Sequence, residues 1–243
     1  MAQNIYDDPD FFARYRQLPR QRHGVSGVPE WPAVRRMLPE LSGKRILDLG
    51  CGFGWFASWA AQQGAASVLG VDISEKMIAR ARVENAHPVT QYRIADLEIL
   101  ELPSASFDLA YSSLSFHYVK DFGRLLETLH HSLIPASYLI FTIEHPIYMA
   151  ATRTEWFADE KGRKTWPVNG YSIEGERRTD WLTTGVLKYH RTVATTTNTL
   201  IATGFELRQV GEFAPTAEQI AQSPNLADEV ERPMFLLISA KRV

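Results

Sequence analysis

Residues 45–54 read R-I-L-D-L-G-C-G-F-G, and no other stretch restricts the fold as strongly. The apolar positions Ile46, Leu47 and Leu49 run through an acid, Asp48, into three glycines, Gly50, Gly52 and Gly54. Trp55, Phe56, Trp59 and Ala60 then recur at helical spacing. This order predicts a buried strand, a tight turn and a helix N-terminus. Glycines permit left-handed backbone and close approach of a ligand to the main chain. Free N–H groups at a helix start favour a negative ligand group. A nucleoside-type ligand therefore finds a cradle near residue 50.

Similar units follow in order. Ser67–Asp72 (S-V-L-G-V-D) reads as a second buried strand ending in an acid. Asp72 lies 24 residues after Asp48, near the ~20-residue offset of a ribose-binding carboxylate in such folds. A carboxylate has two acceptor oxygens, which suits a vicinal diol. Ser74 is a good helix cap, and Met77, Ile78 and Ala81 supply the next helix's apolar face. A third strand, Val89–Ala95, leads to Asp96-Leu97, and a fourth, Phe107–Ser112, ends in Y-S-S. Asp121 caps a helix carrying Leu125, Leu126, Leu129 and Leu133, which Pro135 stops, and Tyr138–Glu144 is strand five. Alternation of this kind implies a parallel sheet with helices on both faces. Residues 192–203 read as a helix closed by Gly204. Phe205–Phe213 and Phe235–Ala240 are final strands, whose short polar connector predicts antiparallel pairing.

Two glycine patterns compete for the first turn. A dinucleotide fingerprint, G-x-G-x-x-G, needs a glycine at position 55, which is Trp55. The pattern present, D-x-G-x-G-x-G, resembles motif I of the class I S-adenosylmethionine-dependent methyltransferases, near the branch acting on small molecules. The resemblance covers 45–145 well and 192–243 in outline. It implies an α/β, doubly wound, Rossmann-like sheet of seven mostly parallel strands in the order 3-2-1-4-5-7-6, the last antiparallel. S-adenosylmethionine is then the cofactor and S-adenosylhomocysteine its product. The implied cofactor set is Asp48, Gly50, Cys51, Gly52 and Gly54 in the turn, Asp72 with Ile73, Asp96 with Leu97 facing adenine, and Ser112–Ser113 beside the methionine. The rivals are an NAD-dependent oxidoreductase and a non-catalytic cofactor-binding module.

Residues 1–40 precede the core. Phe11, Phe12, Tyr15 and Leu18 have helical spacing with Asp10 as cap, either packing on the domain or forming a lid whose Tyr15 reaches the methionine end. The methyltransferase domain is expected over 41–243. Residues 146–190 break the alternation: three tryptophans (Trp156, Trp166, Trp181) and an Asn169-Gly170 turn signal predict one or two hairpins, an inserted cap over the substrate. The tryptophans suit the insert's own core or an aromatic acceptor pocket, the former favoured.

Methyl transfer needs alignment more than a fixed catalytic triad, and positioning alone supplies roughly 7–11 kcal/mol. A base is required only where the acceptor must shed a proton early. His145 and Glu144, directly after strand five, and His117, after strand four, are the candidate bases or acceptor contacts; Glu144 alternatively anchors the insert through an ion pair. Tyr148, Tyr189, His190 and Arg191 are further cap candidates. No metal ligand set is expected. With 26 Lys+Arg against 28 Asp+Glu, the net charge of −2 gives no electrostatic case for nucleic acid or an anionic membrane. One cysteine excludes an internal disulfide. No signal peptide or membrane-length apolar run is seen, so a cytoplasmic enzyme on a small-molecule acceptor is expected. Monomer and homodimer both stay open.

Overall fold

In the computed structural model, residues 3–151 and 155–243 are described. Residues 1–2 of the expected N-terminal segment and 152–154 of the expected insert lie outside them. Seven strands form the central sheet: β1 Arg45–Leu49, β2 Ser67–Asp72, β3 Thr90–Ile94, β4 Phe107–Ser113, β5 Leu133–Glu144, and, late in the chain, β10 Phe205–Glu212 and β11 Phe235–Arg242. Two hairpins lie between them: β6 Phe157–Ala158 with β7 Lys164–Thr165, and β8 Gly175–Trp181 with β9 Thr183–His190. The sheet order is β10-β11-β5-β4-β1-β2-β3. β11 runs antiparallel to both its neighbours, and the pairings among β1 to β5 are parallel. This is the expected doubly wound architecture.

The helices are α1 Pro9–Tyr15, α2 Pro19–Arg22, α3 Trp31–Met37, α4 Trp55–Gln62, α5 Glu75–Glu84, α6 Phe122–Ser132, α7 Pro146–Ala150, α8 Val193–Ala202 and α9 Ala217–Gln222. Two apolar cores flank the sheet. One joins Leu49, Phe141 and Leu236 to α6 and α8; the other joins Ile46, Leu109 and Leu237 to α3, α4 and α5. Burial on both faces accounts for the continuous apolar character of β1, β4 and β5. Among the described residues, no helix is long and apolar enough to cross a membrane.

Several local expectations change. Asp8, not Asp10, caps α1 by accepting from Phe11 N, because Pro9 takes the first helical position. α6 already ends at Ser132, and Pro135 sits inside a β5 that starts at Leu133; a register shift against β4 near Phe107–Leu109 lets the sheet tolerate it. The fully buried face of α4 is Phe56, Ala57, Ala60 and Ala61; Trp59 packs partly buried against the same core, 5.9 Å from the Phe56 ring, whereas Trp55 is not part of it. Trp55 instead packs toward Gly24, and Trp59 meets Trp31 edge-on at 4.7 Å. Asn169-Gly170 is not a hairpin turn: the two hairpins reverse around Asp159–Gly162 and at Leu182, and Gly170 forms a bend before β8.

Candidate active site

The parallel strands point their carboxyl ends toward one cavity of about 330 Å³, the place where open α/β sheets take ligands. Its first wall is the turn after β1. Gly50 and Gly52 line it, with φ of 68° and 52°. A Cβ on Gly50 would lie 2.4 Å from Ser115 Cβ, whereas one on Gly52 would meet nothing within 4 Å. Main chain is therefore exposed to a ligand at Gly52, and Gly50 is small because Ser115 lies behind it.

Asp72 closes the next side. Its Oδ2 accepts from Gly52 N and its Oδ1 from Ser74 N, both at 2.9 Å. Each carboxylate oxygen keeps acceptor capacity for a diol. Burial pushes this carboxyl up to about 6, with the two backbone N–H groups opposing the shift. Ile73, Asp96 and Leu97 continue the wall. Asp96 caps the short turn Leu97–Ile99 by accepting from Glu98 N at 2.9 Å. Ser113, Leu114 and Ser115 face the turn from the end of β4.

Four members of the expected cofactor set stand behind the wall. Ser112 is fully buried and donates to Leu49 O, so its hydroxyl ties β4 to β1. Asp48 is buried, with Oδ2 unpartnered. Desolvation, then the nearby Asp72, pushes its carboxyl up to about 8. Gly54 starts α4 at φ 80°, where a Cβ would collide with the Tyr92 ring. Cys51 does not line the cavity, and burial pushes its thiol well up.

The rest of the lining is largely aromatic. Tyr6 and Tyr15 come from the N-terminal segment, Tyr118 from the turn after β4, and Tyr148 and Trp181 from the insert. The Tyr6 hydroxyl donates to the Tyr118 hydroxyl at 3.2 Å, across sequence-distant elements. Asp7 fixes the same segment to α5: its carboxylate accepts from Ser74 Oγ at 2.5 Å and from Lys76 N at 3.1 Å. Arg20 also lines the cavity and pairs with buried Glu30 at 3.0 Å.

Two of the three candidate acceptor contacts line the same cavity. Glu144 lines it; Oε1 accepts from Lys188 Nζ at 2.5 Å, and Oε2 has no partner. The insert-anchoring ion pair is thus present, since Lys188 belongs to β9. His117 lines the cavity too, and its Nδ1 accepts from Glu144 N at 3.4 Å. Burial, then the charges of Lys188, Arg191 and Arg20, hold it well below the usual histidine range. The neutral ring therefore carries its proton on Nε2.

His145 is elsewhere. It caps α7 by accepting from Ile147 N at Nδ1, and its Nε2 donates to Glu212 at 3.0 Å. Both ring nitrogens are engaged away from the cavity. His190 is fully buried against Tyr171 O, and Arg191 donates to the backbone of Phe116, Val119 and Lys120; neither they nor Tyr189 line the cavity. Trp156 and Trp166 pack round Arg232, which lies 5.1 and 4.0 Å from their rings, so only Trp181 of the three tryptophans reaches the cavity. Tyr6, Arg20 and Tyr118 were not marked by any sequence motif. Their elements are short, and only the tertiary fold brings them together.

The fold and this cavity define a class I methyltransferase. Comparison with known proteins agrees. Residues 47–141 match the family model described as Methyltransferase domain. The crystal structure of an S-adenosylmethionine-dependent methyltransferase from Mesorhizobium loti is 56% identical, with TM-score 0.88, over 90% of this chain and all of that one. A Listeria monocytogenes structure, solved as a candidate enzyme of the same kind, is 38% identical with TM-score 0.81 over 88% of this chain and 98% of that one. A malonyl-[acyl-carrier protein] O-methyltransferase of Enterobacter lignolyticus is 33% identical over 142 residues, 58% of this chain and 55% of that protein, so the match spans about half its length. The chain belongs to the S-adenosylmethionine-dependent methyltransferases.

Proposed function

We propose that this enzyme methylates a small molecule held between the glycine turn and the 146–190 insert. One observation carries the reading: a single cavity joins Gly50, Gly52 and Asp72 to the aromatic end formed by Tyr15, Tyr118, Tyr148 and Trp181. Such a space is concave, mostly apolar and set with few polar groups, as small-ligand sites are.

The residues fit the donor. Gly52 offers open main chain to the amino-acid part, and the Asp72 carboxylate, already fixed by two backbone N–H groups, accepts the ribose hydroxyls. Ile73, Asp96 and Leu97 frame the base, and Ser113 and Tyr15 stand toward the methionine end. When bound, the donor supplies a methyl group already activated by its positive sulfur. The protein's task is then to align the acceptor and exclude water. The N-terminal segment acts as a lid through the Asp7 contacts to α5, and the insert acts as a cap through Tyr148 and Trp181. Glu144 and His117 are the acceptor contacts. His145 is a structural cap and takes no part.

Incubation of the protein with methyl-labelled donor and fractionated metabolite pools tests the reading. Label should pass to a small-molecule fraction. A protein that binds S-adenosylhomocysteine yet transfers nothing to any fraction would be a binding module.

A further inference from the structure

The polar atoms of the acceptor end bear on which compounds fit there. Resting on the methyltransferase reading above, we infer that the acceptor is an amine whose N–H is held by Glu144 Oε2. The charges at this end are internally matched: Arg20 is paired with Glu30, Lys188 with Glu144, and His117 is neutral. Among the described residues that line the cavity, neither Arg20 nor His117 offers an acceptor carboxylate an unpaired positive charge. Glu144 offers an acceptor atom without a partner. Glu144 Oε2 is buried and without a partner, although Oε1 is satisfied by Lys188. A buried carboxylate oxygen is costly unless something donates to it. An N–H of an acceptor bound in the cavity that Glu144 lines would supply the donor that Oε2 lacks.

The surrounding rings favour the same chemistry. Tyr118 and Tyr148 line the cavity, whereas the Trp181 ring already faces Lys188 Nζ at 5.6 Å, and aromatic faces attract positive charge. In the transfer, the neutral amine's lone pair forms the new N–C bond while the methyl–sulfur bond breaks, its electron pair returning to sulfur. Positive charge thus moves from sulfur to nitrogen, and the product is a methylated ammonium beside a neutral thioether. A fixed anion at Glu144 stabilises that charge as it develops. A carboxylate acceptor would instead meet Glu144 as a like charge.

The test uses the whole protein saturated with S-adenosylhomocysteine and three probes of matched size: benzylamine, benzyl alcohol and benzoate, followed by isothermal titration. Benzylamine should bind at least tenfold more tightly than benzoate, with benzyl alcohol between them. Glu144→Gln should remove the amine preference, while the affinity for S-adenosylhomocysteine stays within twofold. The Glu144→Gln/Lys188→Met double variant keeps the site neutral and should lose the preference in the same way. Equal or tighter binding of benzoate, or an amine preference that survives both variants, or binding of none of the three probes overturns the inference. Failure of S-adenosylhomocysteine itself to bind would refute the underlying reading instead, so the two failures are distinguishable.

Discussion

Replacing Asp72 with alanine separates the proposed cofactor role of this carboxylate from its structural one. In the fold, Asp72 accepts two backbone N–H groups, from Gly52 and Ser74, each at 2.9 Å. Losing them costs about 1 kcal/mol apiece. Burial pushes its carboxyl up to about 6, disfavouring the charged form in the fold. A shift of that size corresponds to about 3 kcal/mol of relief at neutral pH when the charge is removed. The two effects oppose each other, so stability should change by no more than about 2 kcal/mol. Nothing offsets the lost ribose contact. An unpaired polar contact costs about 1–3 kcal/mol, which weakens S-adenosylhomocysteine binding by roughly fivefold to 150-fold. Isothermal titration at pH 7.5, with denaturant unfolding of the same preparation, reads both numbers. Affinity unchanged within twofold would refute the placement of the ribose on Asp72. A large stability loss with normal affinity would make Asp72 a purely structural residue.

Further outcomes follow from the same geometry. Hydroxyl donors favour the ionised carboxylate, so S-adenosylhomocysteine affinity should fall as pH drops through about 6, with Asp72→Asn flattening the profile; a pH-independent affinity between 5 and 8 would contradict this. Asp48, raised to about 8, is mostly protonated at neutral pH. The folded protein there binds a proton that the unfolded chain releases near 4, so this group's contribution to stability declines as pH rises from 4 to 8. Calorimetry should find Asp48→Asn more stabilising, relative to the parent, at pH 8.5 than at pH 5. Lys188→Met leaves Glu144 buried and unpaired and should cost about 3–5 kcal/mol by chemical unfolding, most of it recovered in the Glu144→Gln/Lys188→Met pair. Gly54→Ala meets both a left-handed φ of 80° and the Tyr92 ring, whereas Gly43→Ala, at φ 73°, has open space. The first should lose clearly more thermal stability than the second, by about 1–3 kcal/mol.

The sheet was legible because its signals are local and repeated. Apolar runs carrying Asp48 and ending in Asp72 set strands β1 and β2, and the glycines after β1 mark a turn that lines the cavity. Asp72 and Gly52 follow from that strand–turn pattern and Asp96 from the family resemblance, and all three line the cavity. Side chains whose direction depends on packing were harder to place. Ser112 and Ser113 are adjacent, yet strand alternation turns one into the core and the other to the cavity. His145 follows β5 directly, but Pro146 begins a helix there and the imidazole is used to cap it. Arg20 sits in the four-residue α2 and Tyr118 in the turn after β4, both too short to show periodicity, and their meeting with the insert is a tertiary event that no window of sequence contains.

A crystal structure of the protein with S-adenosylhomocysteine puts the whole account at risk. The ribose hydroxyls should lie within hydrogen-bond distance of Asp72, the amino-acid part should run along the Gly50–Gly52 main chain, and the sulfur should face the space bounded by Tyr118, Glu144 and Trp181. A nucleoside seated away from Asp72, or a sulfur turned from that space, would contradict it.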